Sequence, residues 1–194
     1  VSSMLNDERS RTFAQTDTFT IADYKPFQVL DGPGLRCSLY VSYCTFNCAG
    51  CYNKAAQKKG YGEEYTPELE ERILSDLANP HVAGLTLCGG EPMLSAKWLL
   101  PLVTRVRREL PEKTVWSYTG YRFEILRQFR DERAELLSLL DVVIDGQFIR
   151  ELRDEGHLLP FRGSSNQRLI DVKSSLSTGD VVELQQTETI EALR

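Results

Sequence analysis

Two hydrophobic rhythms alternate along this chain. Short apolar runs rich in strand formers stand at "LRCSLYVS" (35–42), "VAGLTLCGG" (82–90), "KTVWSYTG" (113–120) and "DVVIDG" (141–146), and they predict four strands. "NQRLIDV" (166–172) predicts a fifth and "DVVELQQ" (180–186) a late one. Between the first two, Leu69, Ile73 and Leu77 recur every four residues in "TPELEERILSDLAN" (66–79). That is a helix, with Thr66 as its N-cap and Pro67 in the first turn. Leu99, Leu102, Val103, Val106 and Leu110 make one stripe in 95–110, where Pro101 is expected to bend or restart the helix. Residues 121–140 read as helix in two pieces. Upstream, 19–30 contains an extended segment and "DGPG" (31–34) a turn.

Strands alternating with helices imply a parallel sheet with crossover helices. A closed eight-unit barrel takes about 250 residues. This chain of 194 supplies five to six β/α units, so the expected fold is α/β, an open, partial parallel β/α barrel. The expected organisation is a flexible arm over 1–17, the barrel domain over 18–172 and a C-terminal extension over 173–194. In such sheets chemistry gathers at the carboxyl ends of the strands. "YCTFNCAGC", "CGGEP", "YTGY" and "DGQF" follow the four strands in turn, all at that end.

Composition changes this picture little. Hydrophobic content of 41% and charged content of 26% are ordinary for a soluble domain. A formal charge of −5 argues against a nucleic-acid clamp. The arginine groups 105, 107, 108 and 127, 130, 133 read as solvated helix faces. No apolar run approaches the roughly 18 residues of a membrane helix, and the first twenty residues lack the apolar stretch of a secretory signal. A cytoplasmic, reducing setting is expected, where clustered cysteines point to metal or catalysis.

Three of the five cysteines fall within eight positions, as Cys44-x3-Cys48-x2-Cys51. Thiolates suit zinc or iron–sulfur centres. A structural zinc site wants four ligands, and His81 and His157 are distant in sequence. Cys37 and Cys88 lie in strand contexts and read as small buried hydrophobes. A cubane cluster normally takes four thiolates, so three leave one iron open, and open metal positions bind substrate. Two remaining cysteines are too few for a second cluster, which disfavours a ferredoxin-like carrier.

The spacing resembles the radical S-adenosylmethionine (SAM) superfamily, whose signature is a C-x3-C-x2-C loop after the first strand. Many members carry an aromatic residue before the third cysteine; here Gly50 stands there and Tyr52 follows. "CAGCYNK", "DGPGLRCSLYVS", "GLTLCGGEP", "YTGY", "DVVIDGQF" and "FRGSSNQRLIDV" together are similar to the family of activating proteins of the anaerobic ribonucleoside-triphosphate reductase. The blocks run in order from about residue 22 to residue 172.

The resemblance implies a radical SAM type of partial barrel and a mechanism. Cys44, Cys48 and Cys51 hold three irons of a [4Fe-4S] cluster, and the methionine part of SAM chelates the fourth. Reductive cleavage of the sulfonium yields a 5′-deoxyadenosyl radical, which takes hydrogen from a glycine of the reductase large subunit. Flavodoxin is the family's usual electron donor. No acid–base pair or nucleophile is required, so no catalytic base is nominated. Gly89 and Gly90 let a ligand approach the backbone, and Glu91 with its neighbouring carbonyls accepts from the SAM ammonium. Gly50, Cys51 and Tyr52 border the adenine. Ser117 and Thr119 bond the SAM carboxylate or ribose, and Asp145 orients ribose or substrate. For Ser117 and Thr119 a surface hydroxyl, and for Asp145 a turn aspartate, is the rival reading. "RGSSNQR" (162–168) shapes the site entrance or the reductase docking face, with a simple loop as rival. Activation of another glycyl-radical enzyme such as pyruvate formate-lyase, a zinc-binding module, and a radical SAM enzyme acting on a small molecule stand as alternatives.

Overall fold

The computed structural model describes residues 18–153, 155 and 160–184. The proposed arm over 1–17, His157 and residues 185–194 lie outside them. One mixed sheet holds seven strands: β1 (Thr20–Gln28), β2 (Leu35–Val41), β3 (Glu63–Glu64), β4 (Val82–Gly89), β5 (Thr114–Tyr118), β6 (Val142–Asp145) and β7 (Arg168–Asp171). Their spatial order is β3-β1-β2-β4-β5-β6-β7. β2, β4, β5 and β6 run parallel, while β1, β3 and β7 pair antiparallel at the flanks.

The parallel run is therefore shorter than the expected five to six units. The segment at 166–172 does form a strand, but it returns antiparallel against β6. Among its described residues the connection has no helix to carry a right-handed crossover; it holds a 3-10 turn at Arg150–Leu152 and the bridge Arg153–Ser164. The described part of the late segment contributes one bridge, Ile170–Glu183, instead of a strand.

Helices make the crossovers. α1 (Pro67–Leu77) joins β2 to β4, α2 (Ala96–Glu109) joins β4 to β5, and α3 (Phe123–Leu126) with α4 (Glu132–Ser138) joins β5 to β6. α5 (Val172–Thr178) follows β7. Thr66 caps α1 by accepting from the Leu69 amide at 3.2 Å, as the sequence pattern requires. α2 runs through Pro101, which sits exposed, and a 3-10 turn over Pro92–Ser95 leads into it. Arg105 lies among Glu70, Glu71 and Glu109. Arg107 does not belong to a solvated face: half-buried, it donates to the Leu139 carbonyl and meets Asp141 at 2.7 Å.

Strand alternation divides the sheet into two unlike faces. Cys37, Leu39, Val41, Leu85, Leu87, Val115, Val143 and Ile170 face the helices and join the main core with Ile73, Leu99 and Val106. The opposite face carries Arg36, Ser38, Tyr40, Thr86, Cys88, Trp116, Tyr118 and Ile144. Among the described residues, Trp116, Val142, Ile144 and Leu169 form a small second core there. The buried guanidinium of Arg36 is satisfied by Thr86, Thr114 and the Leu85 carbonyl at 2.7 to 2.9 Å, and lies 5.3 Å from the Trp116 ring. Burial pulls its pKa down to about 10.

Candidate functional site

Beyond the carboxyl ends of β2, β4, β5 and β6 lies a cavity of about 630 Å³, a size that holds a cofactor-scale ligand. Cys44, Cys48, Cys51 and Tyr52 line it from the loop after β2; Cys88, Gly89, Gly90 and Glu91 from the end of β4. Tyr118 and Thr119 come from β5, and Gly146, Gln147 and Phe148 from the end of β6.

The cysteine loop is held by protein contacts. The amides of Tyr43 and Cys44 donate to the carbonyls of Ala56 and Gln57 at 2.7 and 3.1 Å, which closes the loop on itself. Phe46 reaches across to β5: a Cβ on Gly120 would stand 2.4 Å from its ring, and it meets Tyr121 edge-on at 4.9 Å. All three thiols are free and half-buried, and Cys48 lies 3.9 Å from the Gln147 side-chain oxygen. Burial pushes the Cys44 and Cys48 thiols up, so ionisation there awaits a metal or a cation.

Gly89 and Gly90 are glycines for a reason within the protein. A Cβ on Gly90 would sit 2.4 Å from the Tyr43 carbonyl oxygen, and one on Gly89, at φ 96°, 2.6 Å from that of Val41. The end of β4 thus lies flat against the start of the cysteine loop, joined by Gly90 N–H to Val41 at 2.7 Å and Glu91 N–H to Tyr43 at 2.8 Å.

Glu91 is almost fully buried, and its carboxylate accepts from the amides of Met93 at 3.0 Å and Gly120 at 2.7 Å. It ties the end of β4 to the end of β5. Burial pushes its pKa up to about 7 against the pull of those bonds. Its carboxylate oxygens are engaged by the protein before any ligand arrives. Thr119 lines the cavity and accepts from the Tyr121 amide at 3.1 Å.

Ser117, Asp145 and Gly50 do not line the cavity. Ser117 and Asp145 occupy the same alternation as Val115 and Val143 and so face the helices. Ser117 donates to the Tyr118 carbonyl at 3.1 Å. Asp145, fully buried, accepts from the Phe123 amide at 2.8 Å and from Arg168. Gly50 turns the loop at φ 72° beneath Arg150.

Other residues enter that the sequence pattern did not single out. Val29, Leu30 and Asp31 line the cavity from the β1–β2 connection, and Tyr40 donates to Asp31. Within 162–168, Arg162, Gly163 and Gln167 reach the lining, and Gln167 holds the Gly146 carbonyl at 2.9 Å. Period-two counting from Val41 and Leu87 singles out Tyr40, Cys88 and Tyr118 as the face opposite the core. Phe46 and Asp31 carry no comparable local signal.

Three free thiols on one short loop are soft donors of the kind that hold an iron–sulfur cluster or zinc. Among the described residues no helix is long and apolar enough to cross a membrane.

Residues 30–170 match a family described as a 4Fe-4S single cluster domain. An "anaerobic ribonucleoside-triphosphate reductase-activating protein" of Vibrio cholerae is 43% identical over 148 residues, covering 74% of this chain and 92% of the relative. The protein of that name in Haemophilus influenzae is also 43% identical over 148 residues, with the same coverage. That of Escherichia coli K12 is 37% identical, covering 74% of this chain and 93% of its own.

Proposed function

The chain belongs to the 4Fe-4S single cluster domain family and to the anaerobic ribonucleoside-triphosphate reductase-activating proteins, and on that premise we propose that it activates the large subunit of such a reductase. Cys44, Cys48 and Cys51 would hold a [4Fe-4S] cluster, with SAM bound beside it. Together these groups would supply reductive cleavage of the sulfonium and the radical chemistry that activates the reductase glycine. We read residues 18–172 as one partial barrel of the radical SAM type, working in the cytoplasm with flavodoxin as electron donor.

The chain's own residues position and shield. The backbone along Gly89, Gly90 and Glu91 offers carbonyls to the SAM ammonium, while the Glu91 carboxylate fixes the two strand ends that frame it. Thr119 stands at the carboxylate or ribose, and Cys51 with Tyr52 borders the adenine. Ser117 and Asp145 support the strand ends from the helix side. Tyr40, Tyr118, Val29 and Leu30 wall the space into which the reductase glycine comes, keeping water from a reactive intermediate.

What supports this most is that three free thiols on one short loop open onto the same cavity as the glycine-rich end of β4. The test is anaerobic reconstitution with iron and sulfide, then paramagnetic resonance of the reduced protein with and without SAM. The expected result is a cluster signal that changes on adding SAM, followed by a glycyl signal once the reductase is added. Zinc in place of iron, or a radical formed only on pyruvate formate-lyase, would overturn the proposal.

A further inference from the structure

The loop that carries the three thiols is basic on a chain that is acidic. Residues 42–60 hold Lys54, Lys58 and Lys59 and no aspartate or glutamate, while the whole chain has a formal charge of −5. More cations come from the segment after β6. Arg150 lies across Gly50, where a Cβ would stand 3.3 Å from its Cδ. Arg153 donates to the Tyr52 hydroxyl, with its guanidinium 5.1 Å from the centre of that ring. Lys54 donates to the Asn47 side-chain oxygen at 2.5 Å. Those partners are neutral and do not cancel the charge of the cations they touch. Glu151, Asp154 and Glu155 are the acids interleaved with the two arginines, so the excess of positive charge comes from the lysines of the loop. Lys54, Lys58, Arg150 and Arg153 are all exposed, and none lines the cavity.

We propose that this cationic outer side of the cysteine loop is the docking surface for an acidic one-electron carrier protein. The inference rests on the iron–sulfur reading above. Each turnover draws one electron from outside: the carrier is oxidised by one electron, the cluster is reduced by one, and no atom is transferred. Electron transfer weakens steeply with separation, so the useful place to dock is the loop that holds the cluster. Docking there leaves the cavity mouth to the reductase. Exposed charges act together over about 10 Å at 0.1 M salt. A basic surface facing an acidic one speeds encounter and makes it salt-dependent.

The test uses the full chain, reconstituted, and the double variant Lys54→Glu, Lys58→Glu. Acidic flavodoxin is the protein donor, and a photoreduced neutral deazaflavin the small one. Reduction of the parent by flavodoxin is expected to slow as salt rises. In the variant it should fall about tenfold at low salt and lose its salt dependence. Reduction by deazaflavin should be the same in both proteins. Titration with oxidised flavodoxin, followed by its flavin absorbance or by NMR, should show weaker binding to the variant. Unchanged binding and rate would overturn the proposal, as would a variant that loses affinity for the reductase while keeping its rate with flavodoxin. The iron–sulfur reading is scored separately, by iron content and resonance of the parent protein. A parent without iron refutes that reading, and the binding titration still decides this one.

Discussion

The two faces of one sheet obey opposite rules. On the helix side, Leu39, Leu85, Leu87, Val115 and Val143 are fully buried against α1, α2 and α4. One residue out of register with them, Tyr40, Cys88 and Tyr118 line a cavity large enough for a ligand. The same strands thus spend one set of side chains on stability and leave the other for binding. Polar residues appear on both faces, and their surroundings tell them apart. Asp145, on the helix side, is enclosed by Arg168 and the Phe123 amide, whereas Tyr118, on the other, borders open space.

The largest effect tests the cavity side alone. Cys48→Ala is expected to abolish cluster assembly and SAM cleavage while leaving the thermal unfolding of the cluster-free protein unchanged. Iron analysis and calorimetry check it, and normal release of 5′-deoxyadenosine would break the site assignment. Leu87→Ala should cost about 2–5 kcal/mol of stability in urea unfolding. Tyr118→Phe, next door on the other face, should cost about 1 kcal/mol or less. Equal costs would erase the contrast between faces. Asp145→Asn is expected to lose about 3 kcal/mol, because Arg168 is left with a weakened buried partner. Equilibrium binding should find its SAM affinity unchanged.

Glu91 sharpens the comparison most finely, since it serves both sides. Its folded pKa, near 7, lies above the unfolded carboxylate value of about 4.3. In the cluster-free protein its contribution is therefore fully present below about pH 4.3 and lost as pH rises towards 7, a fall of up to about 3 kcal/mol. In Glu91→Gln that slope should vanish. The variant should also lose about 1–3 kcal/mol at low pH, because its NH2 group must face an amide donor at Met93 or Gly120. Urea unfolding across that pH range measures both.

Much of this was legible in the chain. The parallel strands, the Thr66 cap and the division of 121–140 into two helices follow from local period and turn chemistry. The cysteine loop follows from spacing alone. The direction of β7 was not legible, since nothing in residues 146–167 encodes which way the chain re-enters the sheet. Ser117 and Asp145 look like site residues because each is polar at a strand end. Only the parity of Val115 and Val143, or the contact with Arg168 twenty-three positions away, reveals their side. Phe46 in the Gly120 gap is a tertiary match between two loops, and no window of sequence contains both.

The fastening of the cysteine loop has a practical consequence. Ala56 and Gln57 anchor the start of the thiol loop through their carbonyls, and Phe46 anchors it through its ring against Gly120. Protein contacts thus fix part of a geometry that the smallest metal-dependent domains draw wholly from their metal. Loosening that clasp, as in Phe46→Ala, is expected to lower iron uptake on reconstitution with no thiol removed.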